Sequence, residues 1–191
     1  VNVGCYFSAV CASIFLYADD ILLIAPTVSG LQLLLQVCEE ELDYLDMRIN
    51  IRKSMCIRFG QRFDVNCAEL QSTQGGSLQW VSSCKYLGVY MLSGRTFKCS
   101  YDCRKSSFFR AFNSIYSKVG QHAAEDSVIA LLRAKCLPIL LYATEACPLL
   151  SRDINSLNFT VTRALMKIFF FFSAANITEC QRIFNFLPVK Q

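Results

Sequence analysis

The stretch IFLYADDILLIA (residues 14–25) sets two carboxylates, Asp19 and Asp20, between two of the most apolar runs in the chain. Burying an ionised Asp without a partner is costly. Two unit charges about 4 Å apart repel by about 1 kcal/mol in water and about 4 kcal/mol at a protein-like dielectric. Residues 14–17 and 21–25 are short β-favouring runs, and Asp tolerates turn geometry. The pattern therefore predicts a tight β-hairpin with the acidic pair at its tip and Pro26 ending its second strand. Such a tip is often only a solvated turn. Held rigidly at the surface of a sheet, it is also a hard-oxygen site suited to Mg²⁺. Both readings stand at this point.

The composition narrows the class. Of the 191 residues, 53% are hydrophobic and 18% charged, which argues against disorder. No run of about 18 apolar residues escapes a charge. The nearest, 129–150, is broken by Arg133, Lys135 and Glu145, and IFFFF (168–172) is too short. A soluble chain with no membrane partner is expected. Eleven cysteines are scattered singly from Cys5 to Cys180, with no CxxC pair and one histidine, His122. That spacing fits neither a disulfide framework nor a zinc finger, and reduced thiols in an intracellular compartment are expected. Cys99 and Cys103 could share a helix face, but two ordinary thiols are the better reading. The opening VNVGCYFSAV reads as the interior of a domain, so a fragment is expected.

Periodicity supplies the elements. SGLQLLLQVCEEELDYLDMRIN (29–50) places Leu31, Leu34, Leu35, Cys38, Leu42, Leu45 and Ile49 at helical steps, with Ser29 and Gln32 as a capping box. Its acidic face, Glu39, Glu40, Asp43 and Asp46, is expected to be solvated. SMCIRFG (54–60) reads as a strand, 61–77 as a loop, and SLQWV and KYLGVYM as further strands. Helices are predicted over about 100–119, through the 120s and 130s up to or across Pro138, over 152–172, and over 176–187. Trp80 and His122 read as structural. Residues 1–84 carry five basic and nine acidic side chains, 85–135 nine and three, and 136–191 five and three. An acidic sheet region before a basic helical region points to an anionic partner.

The motif FLYADDILLIAPT resembles the catalytic hairpin of reverse transcriptases, particularly those of non-LTR (LINE-type) retrotransposons. INIRKSMCIRFG is similar to that family's next motif, with Asn50 and Lys53 before a strand. CKYLGVYM resembles its primer grip, centred on Tyr86, Leu87 and Gly88. CLPILLYATEACPLL and ECQRIFNFLPVKQ resemble its thumb-side region. The fold this implies is α+β. Residues 1–92 would be the C-terminal part of a polymerase palm, an antiparallel sheet with the YADD hairpin and a helix, and 93–191 a helical thumb.

The resemblance implies Mg²⁺-dependent nucleotidyl transfer from a dNTP to a primer 3′-hydroxyl, with an RNA template and a DNA primer as partners. Two Mg²⁺ ions would be held by Asp19 and Asp20, shared with an aspartate from an upstream part of the same polyprotein. Tyr17 and Ala18 would meet substrate at the primer–template end, Lys53 would face the leaving pyrophosphate, and Tyr86, Leu87 and Gly88 the primer. Gly88 would let backbone approach the primer closely. Arg104, Lys105, Arg110 and Lys118, interleaved with Phe108, Phe109, Phe112 and Tyr116, suit a helix that packs one side and meets phosphates with the other. The implied location is intracellular, and nuclear within a full element. Because the expected fragment lacks the upstream aspartate and the fingers, it is expected to be inactive alone. The alternative is a non-catalytic retroelement relic acting at most as a basic nucleic-acid-binding module. A metal-dependent nuclease lacks a supporting histidine or a further carboxylate cluster.

Overall fold

Local turn chemistry and two separate apolar clusters organise this chain in its computed structural model, which describes residues 4–8, 10–120, 122–170 and 174–184. The fold is mixed α+β, with small antiparallel sheets and several helices. It divides into two compact units. Residues 1–84 with 92–97 form one, and 85–91 with 98–191 the other.

In the first unit, β1 (Tyr6–Phe7) and β2 (Val10–Cys11) make a short ribbon. The buried Ser13 hydroxyl accepts from the Cys5 N–H at 2.8 Å and closes that ribbon. The predicted acidic hairpin follows, as β3 (Ile14–Tyr17) and β4 (Asp20–Leu23) paired from Ile14↔Leu23 to Tyr17↔Asp20. Its second strand stops at Leu23, and the Ile24 N–H then turns to the Ser13 carbonyl at 2.7 Å.

Helix α1 (Val28–Tyr44) corrects the expectation at both ends. Thr27, in extended geometry, caps it by accepting from the Gly30 N–H at 3.1 Å, so the Ser29–Gln32 box does not form. Gln32 instead exchanges two hydrogen bonds with the Gln71 backbone, at 2.7 and 2.8 Å. At the other end Asp46 adopts a left-handed φ of 55° and stops the helix before Ile49. Ile49 still reaches the core from the following loop.

The acidic face is not uniformly solvated. Glu39 is 2% exposed. It accepts from the Ser72 hydroxyl at 2.5 Å, the Thr73 N–H at 2.9 Å and the Thr73 hydroxyl at 2.7 Å. Those donors belong to the turn between β5 (Leu70–Gln71) and β6 (Ser77–Leu78), an antiparallel pair that docks on α1. The core here is Leu35, Cys56, Leu70 and Leu78, with Leu23, Leu31, Ile51 and Trp80 packed around it. Residues 54–60 form no ladder strand. Cys56 and Phe59 each make one parallel bridge, to Trp80 and Gly94, so pairing lasts one residue at a time.

A hairpin of β7 (Ser83–Tyr86) and β8 (Val89–Leu92) carries β9 (Lys98–Ser100) on its far side. The second unit is otherwise helical. Helix α2 (Asp102–Val119) buries Phe108 and Phe112. Next come α3 (Glu125–Leu131), a π-helical turn (Leu132–Cys136) and α4 (Leu137–Leu141). Pro138 neither ends the helical run nor simply bends it. The widened turn relieves the clash and missing N–H that a proline imposes on a helix, and Pro138 then sits in the first turn of α4. Helix α5 (Ser151–Phe169) buries Leu157, Val161, Leu165 and Ile168 as its periodicity predicts, and Phe172 lies outside the described residues. Phe170, at φ 55°, ends it. Helix α6 (Ala174–Ile183) follows and ends before the turn at Phe184, and residues 185–187 of the predicted 176–187 helix lie outside the described residues.

Burial alone would raise the Glu39 carboxyl, but the hydrogen bonds from Ser72 and Thr73 outweigh it and hold the pKa below the usual range. A depressed folded-state pKa stabilises the fold fully above the unfolded value of about 4.3 and loses that contribution as pH falls through the folded value. Glu39→Gln should therefore remove part of the acid sensitivity below about pH 4.3. Glu39→Ala should cost about 2 kcal/mol at pH 7 by removing three hydrogen bonds and leaving the buried Ser72 hydroxyl without its acceptor. Denaturation series at pH 7 and pH 3.5 measure both.

Candidate functional site

Tyr17, Ala18, Asp19 and Asp20 all lie exposed at the tip of the β3–β4 hairpin. The connection is two residues long, and Ala18 takes a φ of 52° to close it. Directly opposed strand residues project from the same face, so Tyr17 and Asp20 share one. No hydrogen bond or ion pair involves either carboxylate among the described residues, which leaves their oxygens open. The donor chemistry fits Mg²⁺, which takes one or two carboxylates together with phosphates and water. The ligand set is partial. Among the described residues no three His, Cys, Asp or Glu side chains come together to hold a metal. Cys99 and Cys103 do not supply a second centre, because Cys99 is buried in β9 while Cys103 is exposed on α2.

The strand leading to the tip is unusually bare. Ile14, Phe15, Leu16 and Tyr17 are 45%, 47%, 71% and 64% exposed, so both faces of β3 are open. Lys53 is exposed in a tight turn, where its N–H donates to the Asn50 side chain at 3.2 Å and to the Asn50 carbonyl at 3.0 Å. Asn50 thus has a local structural task. No hydrogen bond or ion pair joins Lys53 to Asp19 or Asp20 among the described residues.

In the second unit, Tyr86 closes β7 and Leu87–Gly88 form a two-residue turn with φ of 45° and 78°. Positive φ at both central positions is the geometry that matches the twist of paired strands. The Tyr142 hydroxyl donates to the Leu87 carbonyl at 3.1 Å, a contact that the sequence reading did not anticipate.

The four basic residues of α2 do not form one face. Arg104 is 6% exposed and lies over the rings of Tyr101 and Tyr142, at 5.1 and 5.8 Å. None of its guanidinium nitrogens has a hydrogen-bond partner among the described residues. Its spacing shows why, since Arg104, Phe108 and Phe112 follow one another at four-residue steps along the buried stripe. Lys105 is half-buried, paired to Asp102 at 2.8 Å and donating to the Ser156 hydroxyl at 3.0 Å. Only Arg110 and Lys118 of the four are exposed, and neither is in an ion pair among the described residues. Around Arg104, burial pushes the Tyr101 phenol up to about 12. The Cys99 thiol also rises to about 12, through burial and then a hydrogen bond with Cys147, against the pull of Arg104. Both groups are therefore neutral at physiological pH.

Two further cations face a groove of about 640 Å³ walled by Phe109, Phe112 and Phe170. Arg163 lies on its wall, and Lys167 donates to the Asn113 side chain at 3.0 Å. Their i, i+4 spacing on α5 was the available sequence signal.

No family model, curated protein or solved structure matches this chain. No helix among the described residues is long and apolar enough to cross a membrane.

The open faces of β3 should bind hydrophobic dyes and promote concentration-dependent self-association. Leu16→Lys should reduce both, as read by dye fluorescence and sedimentation. Equal dye binding by the parent chain and Leu16→Lys would locate the sticky surface elsewhere.

Proposed function

We propose that this chain is the later palm and the thumb of an RNA-directed DNA polymerase of the non-LTR retrotransposon type. The palm would lie in residues 1–92 and the thumb in 93–191. The observation that carries the reading is the acidic hairpin, with Asp19 and Asp20 exposed at its tip and, among the described residues, unpaired. Its support is the order that follows, with a helix, then Asn50 and Lys53, then the Tyr86-Leu87-Gly88 turn, although the strand expected after Lys53 does not form.

The reaction is phosphoryl transfer. The primer 3′-oxygen attacks the α-phosphorus of a dNTP, and the bond to the bridging oxygen of the leaving pyrophosphate breaks. Bound Mg²⁺ would supply charge neutralisation of the triphosphate and a more acidic primer hydroxyl. Asp19 and Asp20 would hold it, with Asp19 the stronger contact. Tyr17 and Ala18 would sit beneath the primer–template end, Lys53 would meet the departing pyrophosphate, and the 86–88 turn would place the primer backbone. Arg110 and Lys118 would meet phosphates, whereas the buried Arg104 would not reach them. An RNA template, a DNA primer and dNTPs are the partners proposed, in the nucleus when the chain belongs to a full element.

A second reading, a non-catalytic nucleic-acid-binding relic, draws on one observation. The described residues bring no third metal ligand to the hairpin. Positioning for in-line attack tolerates little error, so an incomplete ligand set should not support turnover.

Primer extension separates the two. Residues 1–191 should incorporate no dNTP with Mg²⁺ or Mn²⁺. Joined to a palm-and-fingers segment that carries the further aspartate, they should extend a DNA primer on RNA. Asp19→Asn should then abolish extension, Asp20→Asn should do less damage, and Lys53→Ala should slow turnover while primer–template affinity stays nearly intact. A joined enzyme that tolerates Asp19→Asn would reduce the acidic pair to a turn, and failure of every joined form would favour the relic.

Binding provides an independent check. Arg110→Glu with Lys118→Glu should weaken primer–template affinity and flatten its dependence on salt by about two counterions. An unchanged slope in fluorescence anisotropy would make them ordinary surface charges.

A further inference from the structure

The Leu87–Gly88 turn is held from outside its own hairpin. Tyr142 follows directly on α4 and donates its hydroxyl to the Leu87 carbonyl at 3.1 Å. Its ring also bounds the space at Gly88, where a Cβ would stand 3.0 Å from Tyr142 Cε1. Residue 88 is thus restricted to glycine twice, by its φ of 78° and by that ring. Leu87, at φ 45°, occupies a backbone region that a side chain with a Cβ rarely adopts, so the turn has reason to relax unless something holds it.

The backbone around Tyr142 is held locally, while its ring is half exposed. Ala143 turns left-handed at φ 52°, and Thr144 returns two hydrogen bonds to the Leu141 carbonyl, from its N–H at 3.2 Å and its hydroxyl at 2.8 Å. Arg104 lies over the Tyr142 ring at 5.8 Å and over Tyr101 at 5.1 Å, with no hydrogen-bond partner for its guanidinium among the described residues. A buried guanidinium without a counter-charge is costly, and the two aromatic faces are the compensation that the described residues provide.

We propose that Tyr142 is a positioning residue for the Leu87–Gly88 turn, with Arg104 as the cation against its ring. The loop after α4 thereby sets where the turn meets a primer end. The primer-end role rests on the polymerase reading, whereas the clamp itself does not.

The test uses the full chain, Tyr142→Phe and Arg104→Met, each in two measurements. One is the backbone amide order parameter at Leu87 and Gly88 from ¹⁵N relaxation. The other is the ratio of affinities for a DNA primer recessed on an RNA template and for the same duplex with a blunt end. Tyr142→Phe keeps the ring and removes only the donor, so its melting profile should match the parent. Its order parameters at 87 and 88 should fall, and its preference for the recessed end should drop at least threefold. Arg104→Met keeps much of the apolar volume and should move both readouts in the same direction. Unchanged order at the turn in Tyr142→Phe overturns the clamp. A lowered order with an undiminished end preference overturns the positioning role alone. A parent chain with no end preference overturns the primer-end role, and the order parameters still decide the clamp.

Discussion

A two-residue connection between antiparallel strands closes most readily when its backbone enters the left-handed region, and this constraint shapes one candidate turn in each unit. At the first, Ala18 takes a φ of 52° and leaves Asp19 and Asp20 at an open tip. At the second, Leu87 and Gly88 take 45° and 78° and set the tip of the next hairpin. For Ala18 and Leu87 that geometry costs about 1 kcal/mol each relative to an ordinary backbone region.

Buried charge is handled differently in the two units. In the first, Glu39 is met by three donors from the β5–β6 turn, and the same contact docks that turn on α1. A charged carboxylate accepting several hydrogen bonds stays ionised despite burial. In the second, Arg104 finds aromatic faces and, among the described residues, no acceptor. The first arrangement is a staple between elements. The second ties the N-terminal turn of α2 to Tyr142, and through Tyr142 to the backbone of the 87–88 turn.

The hairpin at 14–23, the helix from the late twenties and the long apolar stripe of α5 were readable from periodicity and turn chemistry, which act over a few residues. So was the identity of the exposed acidic tip. Sequence patterning failed where a partner lay far along the chain. Glu39 belongs to a run of acidic residues that looks solvated, and nothing local marks Ser72 and Thr73 as its donors. Residues 54–60 have strand-like composition, but only single bridges to Trp80 and Gly94 are available to them.

Arg104 draws the line most sharply. Its chemistry suits a phosphate, and its place four residues before Phe108 suits the buried stripe. Charge and periodicity gave opposite answers, and neither could decide alone. Packing of α2 beside Tyr101 and Tyr142 resolved the conflict in favour of burial. Short-range order follows from backbone geometry and side-chain spacing, both of which are written into consecutive residues. Glu39 and Arg104 become enclosed through partners more than thirty positions away, Ser72 and Tyr142, and those contacts exist only once the chain has folded.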